Sequence, residues 1–138
     1  MLHHVSIRTA DIFRSIAFYE QLGFEMEVRF TAGSTLACWI KGTLGRLELL
    51  QIPEPKPAPD AFGDEHYVGY YHLSFDLSAV AESLPDWLAS LQAKFSAIDQ
   101  PLKILLSPQQ QMIGDRLFEV MFIADPDGNP IEFLRAYS

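Results

Sequence analysis

From His3 to Arg8 the chain alternates, with Val5 and Ile7 opposed to His4, Ser6 and Arg8, the period of a half-buried strand. Asp11 then offers an N-cap, and Ile12, Phe13, Ile16, Ala17 and Tyr19 fall at helical spacing until Gly23 supplies a stop. Apolar stretches near Phe24–Phe30, Thr35–Ile40 and Arg46–Ile52 read as three strands, with hairpin turns at Gly33 and at Gly42–Gly45. The first part of the chain is thus expected to be β-α-β-β-β.

Pro53-Glu54-Pro55-Lys56-Pro57-Ala58-Pro59 cannot continue a sheet, because each proline removes a ladder donor, and it reads as an extended linker. The pattern then starts again. Tyr70–Leu77 alternates, with Leu73 and Phe75 opposed to His72, Ser74 and Asp76, and Ser78 or Ser83 can cap the next helix. Trp87, Leu88, Leu91 and Phe95 share a helical stripe, and Pro85 is tolerated in its first turn. Leu102–Leu106, Arg116–Ile123 and Pro130–Ala136 read as strands, and Asp125-Pro126-Asp127-Gly128 is a strong turn between the last two. The polar Ser107–Gly114 segment, with Gln109, Gln110 and Gln111 in a row, is expected to be a solvated loop.

The two parts also share residues. His4-Val5-Ser6-Ile7 recurs as His72-Leu73-Ser74-Phe75, and Gly45-Arg46-Leu47-Glu48-Leu49-Leu50 recurs more loosely as Gly128-Asn129-Pro130-Ile131-Glu132-Phe133-Leu134. His4 to His72 is an offset of 68 and Glu48 to Glu132 one of 84, so the second copy carries 16 more residues between its ends. The simplest reading is one module used twice, each copy giving a His and a Glu to a shared site. The expected fold is α+β, two βαβββ modules forming a curved mixed sheet around a cavity. One domain spans residues 1–138, with modules 1–52 and 67–138 joined by the Pro-rich linker 53–66.

Composition narrows the function. A chain of 138 residues, 49% hydrophobic, is long enough to bury roughly 68% of its unfolded surface in one core. Its net charge of -8, with only ten Lys and Arg, argues against nucleic acid as a partner and would suit a cationic ligand. No apolar run is long enough for a membrane span, and no signal-like segment opens the chain, so a cytoplasmic protein is expected. The lone Cys38 lies in the apolar run Leu36–Ile40 and reads as a buried, inert thiol.

Alternation places His4, Glu48, His72 and Glu132 away from the apolar faces that pack under the helices. Two imidazoles and two carboxylates suit a divalent first-row metal such as Zn, Ni, Co, Mn or Fe, with positions left for substrate oxygens. A cation would also remove the repulsion between two neighbouring carboxylates. Arg8 and Arg116 are candidates to meet a substrate carboxylate, although arginines on sheets are more often structural. His66 reads as a solvated linker residue.

The ordered set His4-Val5-Ser6-Ile7, Asp11, Ser15, Phe18-Tyr19, Leu22-Gly23-Phe24, His72-Leu73-Ser74-Phe75 and Asp125-Pro126-Asp127-Gly128-Asn129-Pro130-Ile131-Glu132 resembles the vicinal oxygen chelate superfamily. That group holds glyoxalase I, methylmalonyl-CoA epimerase, extradiol dioxygenases, and fosfomycin- and bleomycin-resistance proteins. The resemblance implies paired βαβββ modules around a metal cavity, in a homodimer, and carries the metal-ligand role to His4, Glu48, His72 and Glu132. This set is most like glyoxalase I, a lactoylglutathione lyase. The implied reaction is a lyase or isomerase step moving a proton next to a carbonyl through a metal-bound enediolate. The implied substrate is a small molecule such as the thiol adduct of a 2-oxoaldehyde. Glu132 takes the catalytic role in that comparison, and Glu48 shares it. The alternatives are an epimerase or ring-cleaving dioxygenase of the same superfamily, or a non-catalytic drug- or metabolite-binding protein of the bleomycin-resistance type.

Overall fold

The computed structural model describes residues 1–137. Two compact units divide the chain, Met1–Pro57 and a second beginning at Ala58. The first contains β1 (Val5–Thr9), α1 (Ile12–Gln21), β2 (Glu25–Ala32), β3 (Thr35–Gly42) and β4 (Gly45–Gln51). Its sheet runs β1-β4-β3-β2, with β1 parallel to β4 and the other pairs antiparallel. The parallel pairing is forced by α1, which crosses over between β1 and the three strands that follow.

Asp11 starts α1 by accepting the Phe13 and Arg14 N–H groups at 3.1 and 3.2 Å, filling two of the donors a helix start leaves open. The buried face of α1 is Ile12, Ser15, Phe18 and Tyr19. Phe13, placed on the apolar stripe by its spacing, is instead 67% exposed, and Ser15 is buried in a 2.6 Å hydroxyl contact with Thr9. Phe18, Tyr19 and Phe24 meet edge to face and close the core of this unit with Cys38, Ile40 and Leu49. Burial pushes the Cys38 thiol pKa up, as expected for an inert thiol.

The second unit repeats the order with β5 (Leu73–Asp76), α2 (Leu84–Ala97), β6 (Lys103–Ile113), β7 (Arg116–Ala124) and β8 (Pro130–Ala136). Its sheet runs β5-β8-β7-β6, again with the first strand parallel to the last. Ser83 is the N-cap of α2, accepting the Asp86 N–H at 3.1 Å, and Pro85 sits in the first turn. Leu84, Leu88, Leu91 and Phe95 are buried, while Trp87 is only partly covered and leans on Phe133 at 4.6 Å between ring centres. The buried Glu119 of β7 fastens the start of α2 to the sheet. It accepts the Leu84 N–H, and Arg135 and Tyr137 donate to it at 3.4 and 3.2 Å.

The architecture is α+β, two four-stranded mixed sheets and two helices arranged as two βαβββ modules. Most strand ends lie within one or two residues of the sequence reading, and two boundaries differ by more. First, β5 begins at Leu73, and Tyr70 is fully exposed ahead of it. Second, Ser107–Ile113 is strand and not loop: β6 runs on to Ile113, with Gln109, Gln110 and Gln111 paired to Val120, Glu119 and Phe118. Alternation of buried and exposed side chains fails there because the far end of this edge strand is solvated on both faces. Register shifts between Ile104 and Gln109 blunt the edge around Pro108. The extra length of the second module is therefore a long β6–β7 hairpin, turned at Gly114, whose φ of 63° only glycine takes without strain. No helix or strand forms between Gln51 and Leu73, where the prolines cluster. No helix among the described residues is long and apolar enough to cross a membrane.

Candidate functional site

Each module delivers its His and Glu by the same construction. In the first unit Glu48 lies on β4 with Ser6 of β1 on one side and Trp39 of β3 on the other, in direct register. The Gly42–Gly45 hairpin sets that register, pairing Lys41 with Arg46 and Ile40 with Leu47 on the way. In the second unit Glu132 lies on β8 between Ser74 of β5 and Phe122 of β7. Here the turn at Asp125–Asn129 sets the register: the Asp125 carboxylate accepts N–H groups from Asp127 and Asn129, and the Asn129 side chain, at 2.8 to 2.9 Å. His4 and His72 stand one residue ahead of β1 and β5, two residues before the serine beside each glutamate.

The geometry repeats closely. Ser6 Oγ donates to Glu48 Oε1 at 2.8 Å, and Ser74 Oγ donates to Glu132 Oε1 at 2.6 Å. His4 Nε2 lies 3.6 Å from Glu48 Oε2, and His72 Nε2 lies 3.6 Å from Glu132 Oε1. All four side chains keep limited access to solvent, 25% and 16% in the first pair and 22% and 15% in the second. A separation of 3.6 Å is too long for a hydrogen bond. It is close to the roughly 3.4 Å that nitrogen and oxygen donors span on one tetrahedral first-row cation, with bonds of about 2.0–2.2 Å. The His72 Nδ1 atom, on the other side of the ring from Nε2, is buried with no hydrogen-bond partner among the described residues. By donor chemistry and by spacing, each pair taken by itself suits a divalent cation. Among the described residues no three His, Cys, Asp or Glu side chains gather as a metal-holding group; each unit presents a pair.

The surroundings of the two pairs differ. Trp39 donates its indole N–H to Glu48 Oε2 at 2.8 Å, whereas Phe122, at the matching place, has nothing to donate. Partial burial pushes the Glu48 pKa up, but the Trp39 and Ser6 hydrogen bonds, with smaller help from His4 and His3, bring it below the ordinary value. His4 Nδ1 meets His3 Nδ1 at 2.7 Å, and the His3 and His4 rings cluster with that of Trp39. In the second unit Tyr71 stands where His3 stands in the first, with its ring 4.4 Å from His72. Burial and the Glu132 charge raise the Tyr71 phenol pKa. The sequence reading found both His–Glu pairs and missed Trp39, His3 and Phe122 as their neighbours. It treated Trp39 as part of an apolar run, and only the β3–β4 register reveals its polar end. Arg8 and Arg116 are exposed, Arg116 lying over the Phe118 ring at 5.2 Å, and His66 is exposed in the linker.

Residues 1–133 match the family model described as Glyoxalase/Bleomycin resistance protein/Dioxygenase superfamily, and the chain belongs to that family. Its fold is similar to solved structures in the same group. A glyoxalase family protein from Enterococcus faecalis is 21% identical, with a TM-score of 0.76 over 98% of this chain and 97% of that one. A glyoxalase/dioxygenase from Nostoc punctiforme is 20% identical, with a TM-score of 0.70 over 100% and 92%. The trypanothione-dependent glyoxalase I of Leishmania major is 22% identical, with a TM-score of 0.62 over 98% and 86%. No curated protein matches the chain.

Proposed function

We propose that this protein is a metal-dependent lyase or isomerase of the glyoxalase I type, with His4, Glu48, His72 and Glu132 holding one divalent cation drawn from Zn, Ni, Co, Mn or Fe. The observation that carries this reading is the twofold repetition of a His Nε2 and a Glu oxygen at 3.6 Å, each glutamate oriented by a serine from the neighbouring parallel strand. When bound, the cation supplies Lewis-acid polarisation of a carbonyl oxygen and offsets the negative charge that builds as the adjacent C–H bond ionises.

The protein's own groups do the rest. Glu132 takes the proton from the hydroxyl-bearing carbon of a hemithioacetal and returns it to the neighbouring carbonyl carbon, while the hydroxyl proton passes to the former carbonyl oxygen, so that the thiol adduct of a 2-oxoaldehyde becomes a 2-hydroxy thioester with no net redox change. Ser74 holds Glu132 Oε1 and leaves Oε2 for that transfer. The two imidazoles keep their places throughout. The resemblance to vicinal oxygen chelate enzymes supports a homodimer as the working form.

The net charge of -8 favours a second reading, capture of a cationic small molecule without chemistry. Metal-loaded protein assayed with methylglyoxal and a panel of thiols separates the two. Thioester formation abolished by Glu132→Gln supports the lyase. A protein that takes up no metal and turns over no adduct, yet binds an organic cation, supports the binder.

A further inference from the structure

Between the two copies of the His–Ser–Glu construction, one hydrogen-bond donor differs. Position 39 on β3 and position 122 on β7 face Glu48 and Glu132 across equivalent antiparallel ladders. Trp39 fills the first with an indole N–H held 2.8 Å from Glu48 Oε2, and its ring is braced by His3 at 4.9 Å and Phe30 at 5.5 Å. Phe122 fills the second with an apolar ring against Phe62 at 5.2 Å and His72 at 4.9 Å. Glu48 is therefore held at both oxygens, Oε1 by Ser6 and Oε2 by Trp39, from strands on opposite sides. Glu132 is held at Oε1 by Ser74, with no donor on Oε2 among the described residues.

The chemical consequence follows from the lone pairs. A carboxylate oxygen that accepts one N–H keeps a second lone pair, so Glu48 can still serve a cation. It cannot turn about its terminal torsion without giving up Ser6 or Trp39, and its charge is already shared between two donors. Glu132 can turn about its single anchor and present an unengaged oxygen to a proton.

We infer that Trp39 is a positioning residue that makes Glu48 the fixed carboxylate, and that Phe122 in the matching place leaves Glu132 the movable one. This rests on the reading of both glutamates as metal-holding residues. It assigns unequal parts to two side chains that the repeat presents as equals.

Two measurements test it. In 15N-labelled protein the two tryptophans give two indole N–H signals, and Trp39→Phe identifies its own by deletion. Glu48→Gln is expected to shift the Trp39 signal and leave that of Trp87 in place. A Trp39 signal that does not move overturns the contact. The second is Ni(II) affinity by calorimetry. Trp39→Phe is expected to weaken binding about tenfold where Glu48 is present and less than about twofold in Glu48→Ala protein, the pattern of a residue acting through a metal ligand. Equal losses in both backgrounds assign Trp39 a merely structural part and overturn the inference. The second unit already carries phenylalanine at this place, and thermal melting verifies that Trp39→Phe folds. Wild-type protein that binds no Ni(II) overturns the metal reading and the anchoring role together, whereas a static indole signal in a protein that does bind Ni(II) overturns the anchor alone.

Discussion

Ser74 and Glu132 sit side by side in the parallel β5–β8 register, and the serine hydroxyl lies 2.6 Å from Glu132 Oε1. Ser6 and Glu48 repeat the relationship at 2.8 Å on the parallel β1–β4 pair. An oriented carboxylate gives up less rotational freedom on binding a cation. Ser74→Ala is accordingly expected to weaken divalent-metal binding by about tenfold, the low end of the range for such supporting contacts. Calorimetry with Ni(II) measures it, and unchanged affinity would reduce the serine to a strand residue.

Phe133 is fully buried on β8, between the rings of Phe75 and Trp87. Phe133→Ala should cost about 3–5 kcal/mol of stability in urea unfolding, the usual range for deleting a large aromatic ring from a core. A loss under about 1 kcal/mol would contradict the packing of the second unit around Phe133.

Acid sensitivity has an identifiable source in Asp76. Its carboxylate accepts the Ser78 hydroxyl and the Ser78 N–H, and these bonds, aided by the Arg116 charge, hold its pKa below the ordinary 3.8 against a smaller opposing effect of burial. A carboxylate whose pKa is lower folded than unfolded adds stability above the unfolded value, and that stability is lost as pH falls through the folded one. The group is exposed, so the effect is small. Asp76→Asn should lower the urea midpoint near neutral pH and reduce its fall between about pH 5 and pH 3. The same slope in both proteins would show that other carboxylates govern the acid limb.

The β6–β7 hairpin gives a prediction specific to backbone structure. Gln109, Gln110 and Gln111 are strand residues on a sheet edge, so amides bonded into the β7 ladder should exchange slowly and the outward ones fast. Uniformly fast exchange through this run would restore the loop that its composition suggests.

Much of the fold was legible because it is written in local chemistry. Asp11 announces the first helix start, Ser78 and Ser83 offer the second, which the structure gives to Ser83, Gly42–Gly45 and Asp125–Gly128 announce the turns, and the His-x-Ser repeats mark where each module begins. The two His–Glu pairs were legible for the same reason, since the repeat fixes their positions in both modules. What escaped depends on pairing across strands. The glutamines of β6 carry no alternation because both of their faces meet water, and Phe13 has helical spacing but looks outward. Trp39 looked like core, since nothing in its neighbours along the chain says that Glu48 stands opposite it.

The proposed function requires a divalent cation held by His4, Glu48, His72 and Glu132, and metal stoichiometry tests that proposal most directly. Chelator-stripped protein reloaded with Ni(II) and analysed for metal should hold one ion per chain. His4→Ala and His72→Ala should each abolish tight binding. Two ions per chain, each lost with only one of these variants, or none at all in the wild type, would contradict the account.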